Sequence, residues 1–279
     1  MAHYPKIFDV VGNTEAVISG GLTFSGQNYV IVRSVNTGVP ANDGITNGIA
    51  LIDGLNELDA LNWGGRSLEN MGSLILTPGI YKLDNSQIVM KPFINIVGLS
   101  SNRRDTIIIS GSASAIVWDS GITAGLQNVE LKASDSLTDF SIMLKGDDLS
   151  FPIVEDVYFG SDKMFYNSES STFGFNNLVG RWNNCEWISG IDYGFYVSGS
   201  ILATITNIVM GDVNIGGLAF ASTGGDISGT ISNITIGNVG DYAFYASGDI
   251  SGTITNVIMG DVTAFAFYTS SGNNQYCNW

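Results

Sequence analysis

The chain has 279 residues, with 11 Lys and Arg against 26 Asp and Glu for a formal charge of −15, yet only 13% of it is charged. So acidic a protein has no electrostatic footprint for nucleic acid, and no stretch has the continuous apolar character of a membrane span. The single histidine, His3, lies at the N-terminus, which excludes Ser–His and Cys–His nucleophile pairs.

The first segment, 1–45, contains "KIFDVVGNTEAVISGGLTFSGQNYVIV" and reads as short strands with Gly-rich turns, a segment for attachment or for pairing with a neighbouring chain. Its start has no apolar h-region, which argues against Sec-type export. In 46–70, Asn47 is expected to cap an amphipathic helix over Gly48 to Asn62 whose Leu51, Leu55 and Leu58, with Ile52, share one face, followed by a linker. "PGIY" then opens the first strand of a third segment, 71–279.

That segment repeats itself. "DISGTISNITIGNVGDYAFYASG" from Asp226 is followed at once by "DISGTITNVIMGDVTAFAFYTSSG" from Asp249. The Asn that leads each apolar triplet, Asn233 and Asn256, recurs as Asn207 and Asn184, and more weakly in "QNVELK" at Asn128 and "EDVYFG" at Asp156. The period is about two dozen residues, within the range of solenoids. Within a unit the runs are short, rich in β-branched and aromatic residues, and alternate rather than recur at helical spacing. Three strands per unit are expected: Ile227 to Ile231, Ile234 to Val239 and Tyr242 to Ser247. Stacked copy on copy they make an all-β parallel β-helix of about 23–28 residues per rung. A leucine-rich repeat would show a Leu ladder, and a propeller a period nearer 40 residues. Alternation puts Tyr242, Phe244 and Ala246 inward with Tyr193, Phe195 and Val197, and places Tyr196, Tyr245 and Tyr268 outward in a column interrupted by Ala221. A second outward column holds Glu186, Val209, Thr235 and Ile258, which is apolar enough to favour association along that wall. Cys185 takes the inward position of Ile208, Ile234 and Val257, so a disulfide to Cys277 is not expected.

The succession "GSLILTPGIYKLDNSQIVMKPFINIVGLSSNRRDTIIISGSA", then "GLQNVELKA", then Asn-led rungs, resembles the right-handed parallel β-helix of the pectin-lyase-like superfamily as used in bacteriophage tailspikes and tail fibres. "VIVRSVNTGVPANDGITNGIALIDGLNELDALNWGGRSLENMGSLILTPGIY" strengthens it, because tailspike-like proteins place a short helix over the open end of the solenoid. The resemblance runs from about Tyr29 to the C-terminus. It implies a virion protein that forms homotrimers. Because this fold hosts lyases, hydrolases, adhesins and inert scaffolds alike, it fixes the fold more than the activity.

The characteristic Asp, His and Arg clusters of pectin-degrading relatives find no match here, with Arg103, Arg104 and Arg181 isolated in the sequence. A glycosidase needs two converging carboxylates. "KGDDLSFPIVEDVYFGSDK" supplies Asp147, Asp148, Glu155, Asp156 and Asp162, with Glu186 and Asp192 one rung later. Glu155, Asp156 and Glu186 are the candidates. After Arg181 there is no basic residue, only Glu186, Asp192, Asp212, Asp226, Asp241, Asp249 and Asp261. That stack serves solubility or holds a divalent cation such as calcium at Asp212 and Asp261, which share a repeat position. No other cofactor is implied. Tyr196, Tyr245 and Tyr268 are the candidates for a sugar platform or a subunit interface. At the end of the chain, Gln275 to Trp279 or a partner is expected to cover the open last rung.

The expected function is therefore a bacteriophage tail fibre, tailspike or decoration subunit, assembled in the host cytoplasm and displayed on the virion surface. Its partners would be copies of itself or other virion proteins, and host surface polysaccharide. A polysaccharide depolymerase on the same fold is the main alternative, and a purely structural filament or capsid fibre the other.

Overall fold

Each Asn-led repeat winds once around an apolar core, so equivalent residues of successive repeats pair in parallel register. Thr204–Met210 pairs with Thr230–Ile236, and that strand with Thr253–Met259. The computed structural model describes residues 8–12, 28–37, 40–61, 65–84, 86–110, 115–119, 121–132, 142–144, 151–160, 177–187 and 191–271. The result is a right-handed parallel β-solenoid with about three strands per turn and a single N-terminal helix. The walls are easily traced. The first carries Gly72–Leu76, Ile94–Gly98, Thr123–Gln127, Phe151–Glu155 and Arg181–Asn183. The second carries Gly79–Lys82, Thr106–Ile109, Glu130–Lys132, Tyr158–Phe159 and Glu186–Trp187. From Thr204–Met210 onward a single strand bends across both walls. The third wall holds Ile191–Val197, Val213–Ser222, Val239–Ala246 and Phe265–Thr269.

The expected division into three strands per repeat is corrected in one respect. In the repeat at Asp226 the first two strands are one, Thr230–Ile236, and the third begins earlier, at Val239. The reason is the conformation of the Asn. Asn128, Asp156, Asn184, Asn207, Asn233 and Asn256 all have φ between 52° and 57°. Asn and Asp tolerate this left-handed conformation better than other non-Gly residues, because their short polar side chains hydrogen-bond locally. The chain turns the corner on that one residue without losing its pairing on either side.

Inside, the residue after the corner is buried as expected: Cys185, Ile208 and Ile234 are each 1% exposed. Burial pushes the Cys185 thiol up to about 12; Cys277 lies outside the described residues. Phe195, Phe220, Phe244 and Phe267 stack rung on rung, with centroids 5.2, 4.9 and 4.8 Å apart.

The helix spans Pro40–Ala60, so it starts earlier than the expected Asn47 cap and ends sooner than Asn62. Proline suits the first turn of a helix, and Asp43 in that turn accepts from the Thr37 backbone N–H at 2.8 Å. Asn47 is instead a buried strut within the helix. Its Oδ1 accepts from the Val35 N–H at 2.7 Å, and its Nδ2 donates to Ile80 O at 3.0 Å. Leu51, Leu55 and Leu58 do bury their shared face over the end of the solenoid core. Gly48 sits where a Cβ would lie 1.8 Å from Lys82 O, so the helix approaches the second wall as only glycine allows. Phe8–Gly12 pairs antiparallel with Asn28–Val32 of the same chain. At the other end, the segment expected to cover the last rung lies outside the described residues. Among the described residues no helix is long and apolar enough to cross a membrane.

Ile234→Asp should test the inward register. It places an unpaired charge between Ile208 and Val257, a cost of several kcal/mol, and the variant is expected to be insoluble or unfolded by far-UV circular dichroism.

Candidate functional site

The corner column is regular except in two places, and both lie on the same face. At the register position of Asn128, the rung above has Gly98, where a Cβ would fall 2.1 Å from Asn128 O. There the chain does not turn at once. It leaves the solenoid through Leu99–Asp105, an arm that lies over the outside of the second wall before rejoining it at Thr106.

The arm is held by its own side chains. Ser100 Oγ donates to Asp105 Oδ2 at 2.6 Å, Asn102 Nδ2 donates to Asp105 Oδ1 at 3.1 Å, and Asn102 Oδ1 accepts from the Arg104 N–H at 3.1 Å. It is also held to the wall. Arg104 lies over the Tyr158 ring, 4.4 Å from its centroid, and 3.7 Å from Glu130. Glu130 is only 2% exposed under this cover and is neutralised by Lys132 at 3.0 Å. Arg103 reaches further, donating to Asn184 O at 2.8 Å and to the Glu186 carboxylate. Arg103 and Arg104 thus meet Glu186 and Glu130 on the second wall, while Arg181 and Glu155 belong to the first. Arg181 pairs with Glu155 at 2.7 Å.

Between arm and corner column runs a groove of about 490 Å³, lined by Ser100 to Arg103 on one side and by Gln127, Asn128, Asp156 and Asn184 on the other. Asp156 is the second irregularity. Below it the corner amides form a short ladder, Asn256 Nδ2 donating to Asn233 Oδ1 at 2.7 Å and Asn233 Nδ2 to Asn207 Oδ1 at 3.1 Å, after which Asn207 Nδ2 turns to Asn183 Oδ1 at 2.8 Å instead of the next corner residue, Asn184. Asn184 donates in the same way to Asp156, but an ionised carboxylate has no proton to pass on. Asn128 above it turns its Nδ2 to the carbonyls of Gly98 and Ser100 instead. Along the groove the corner residues Asn128, Asp156 and Asn184 therefore form no continuous ladder.

Of the three acids picked out in the sequence, Asp156 lines this groove with Arg103, and Glu186 is bonded to Arg103. Glu155 borders it through Gln127, whose Nε2 donates to it at 3.1 Å. Asp147, Asp148 and Asp162 lie outside the described residues. What sequence reasoning missed is the arm. Its signal was the surplus "LSSNRRD" between two strand-like runs, since insertions in a repeat map to loops on one face.

The aromatic column is present in the expected register, Tyr196, Ala221, Tyr245 and Tyr268 being neighbours in the third wall. Tyr193 and Tyr242, expected inward, are a correction. Their rings lie 4.7 Å from Tyr196 and 5.6 Å from Tyr245, and Tyr242 also stacks 4.7 Å from Tyr268. Ala243 and Phe244 are both buried, so two consecutive inward residues interrupt the alternation and return Tyr242 to the outside. There, desolvation and then the Asp241 charge hold its hydroxyl pKa above the ordinary value.

Asp212 and Asp261 stand on either side of Asn238 in one turn column. Asp212 Oδ1 accepts from the Asn238 N–H at 2.8 Å, and Asn238 Oδ1 from the Asp261 N–H at 3.0 Å. Among the described residues no three or more His, Cys, Asp or Glu side chains are grouped to hold a metal ion.

No family model and no curated protein sequence matches the chain. Among solved structures it is similar to the PL6 family alginate lyase AlyGC, with a TM-score of 0.43 and 8% identity over 81% of this chain and 38% of that one. The chain thus spans well under half of that enzyme's length, and the likeness assigns no residue of the groove.

Asp156→Asn should add one corner hydrogen bond, because the new Nδ2 can donate to Asn128 Oδ1 while the amide oxygen still accepts from Asn184. A gain of about 1 kcal/mol should raise Tm by roughly 2–4 °C in a domain of this size, read by scanning calorimetry. Replacing both Tyr245 and Tyr268 by Ser removes outward stacking worth about 1 kcal/mol. With Phe244 and Phe267 untouched, the strand-type circular dichroism spectrum should persist.

Proposed function

We propose that the protein is a carbohydrate-directed β-helix that holds a stretch of surface polysaccharide in the groove between the arm and the Asn corner. The observation that carries this reading is the groove itself. It is polar and walled by planar amides and a guanidinium, the groups that match sugar hydroxyls. Its two sides are fixed before any ligand arrives, so little ordering cost remains on binding. Retention rather than cleavage is the main reading, because each candidate acid is already engaged: Glu155 with Arg181 and Gln127, Glu186 with Arg103, Asp156 with Asn184. A general acid must instead carry a proton at working pH.

One observation favours the second reading, a polysaccharide depolymerase. Asp156 and Arg103 line a single groove, with Glu186 bonded to Arg103 and Glu155 bonded to Gln127 at its border, an arrangement from which hydrolysis or elimination could be run. The place of the protein on a bacteriophage virion, as a tail fibre, tailspike or decoration subunit, rests on the sequence resemblance alone. Homotrimer formation has in addition the apolar outward residues Val209 and Ile258, 48% and 65% exposed on one wall. The outward tyrosines Tyr196, Tyr245 and Tyr268 offer a further contact surface for glycan or for a second subunit.

Incubation with a panel of bacterial surface polysaccharides should give retention on affinity electrophoresis with no new reducing ends and no unsaturated products. Ser101→Trp, an exposed arm position, should fill the groove and abolish retention with the circular dichroism spectrum unchanged. Turnover abolished by Glu155→Gln or Asp156→Asn would put the depolymerase reading in place of the adhesin. Retention that survives Ser101→Trp would move the site away from the groove, first to the tyrosines.

A further inference from the structure

The side-chain amides of the groove are held in one orientation. Each side-chain nitrogen gives at least one hydrogen to a protein acceptor: Asn102 Nδ2 to Asp105, Gln127 Nε2 to Glu155, and Asn128 Nδ2 to the carbonyls of Gly98 and Ser100. Asn184 Nδ2 is given to Asp156, and both terminal nitrogens of Arg103 to Asn184 O and Glu186. Every one of these acceptors is a carbonyl or a carboxylate, which accepts and never donates, so the orientation of each amide is fixed. Turned the other way are acceptors. The amide oxygens of Gln127, Asn128 and Asn184 and the second carboxylate oxygen of Asp156 receive no hydrogen bond from any described residue, and all four residues line the groove.

The charge balance has the same sign. The guanidinium of Arg103 is matched by Glu186, whereas Asp156 is exposed and forms no ion pair with a described residue. A carboxylate or sulfate entering here would meet an unneutralised negative charge at Asp156, in a protein of formal charge −15. A hydroxyl or a protonated amine would meet its complement.

Building on the proposed glycan groove, we infer that its ligand is a sugar chain without acidic groups, and that Asp156 selects for amino sugars by pairing with their ammonium group. The acid in an Asn position at Asp156 is then explained. At that corner an amide is replaced by the charge that reads the ligand, a loss of one side-chain hydrogen bond for selectivity.

Three β-1,4-linked hexamers with comparable backbones separate the possibilities: glucosamine, glucose and mannuronate, titrated calorimetrically into the full chain at mildly acidic pH, where the amines are protonated. Glucosamine hexamer should bind best, glucose hexamer more weakly and mannuronate hexamer not at all. Asp156→Asn should weaken the glucosamine hexamer by about tenfold, the worth of one charge-assisted hydrogen bond, leave the glucose hexamer unchanged, and still show its raised Tm. The inference is overturned if the mannuronate hexamer binds as tightly as the others and is displaced in Ser101→Trp. It is overturned equally if the preference for glucosamine survives Asp156→Asn. If none of the three binds, the composition of polysaccharides retained in the wild type and lost in Ser101→Trp decides, acidic chains refuting the inference and non-acidic ones supporting it. A panel in which nothing is retained removes the groove reading and this inference together.

Discussion

Everything in this molecule hangs on a backbone angle. A parallel β-helix must turn a corner several times in every rung, and at one corner it does so on a single residue held at φ between 52° and 57°. That conformation suits asparagine and aspartate among residues with a Cβ, and stacking aligns them so that each amide can serve the next. The corner therefore sets both the cross-section of the solenoid and the register of its rungs. The Phe stack inside and the Tyr rings outside follow from it, because a slip of one residue would exchange the two faces.

That constraint is also why so much of the fold was legible in the sequence. Asn184, Asn207, Asn233 and Asn256 are visible as letters, and the apolar residue after each proved buried or packed against the core. Leu51, Leu55 and Leu58 announced the face of the helix, though Asn47 resembles a cap and is a strut, since a buried amide and a capping amide look alike in one dimension. Tyr193 and Tyr242 failed for a different reason. Alternation with period two presumes a straight strand, and a strand that rounds a corner on Ala243 and Phe244 spends two consecutive side chains inward.

The groove was legible only in part. Asp156 stood out as an acid in an Asn position, and Glu155 and Glu186 were picked with it, but nothing local links them to Arg103, which lies 83 residues before Glu186. Proximity across rungs is a property of stacking, and a long-range ion pair leaves no trace in spacing. The site arises where the repeat departs from its own rule twice on one face, in the arm after Gly98 and in the carboxylate at 156. Regular rungs supply a rigid backing, and the departures supply chemistry.

The side-chain ladder in the turns has its own implication. The Asp249 N–H donates to Asp226 Oδ1 at 2.7 Å, and the Asp226 N–H to Ser200 Oγ at 2.9 Å, so each repeat presents the acceptor that the next one needs. The repeats beginning at Asp226 and Asp249 are for this purpose interchangeable modules. Copying such a module in the gene adds a rung that docks without new design, and deleting one removes it without leaving a gap. Each event changes the length of the rod by about 4.8 Å. The solenoid is thus a spacer of adjustable reach, in which the distance from groove to far end can evolve by counting repeats while the groove stays as it is.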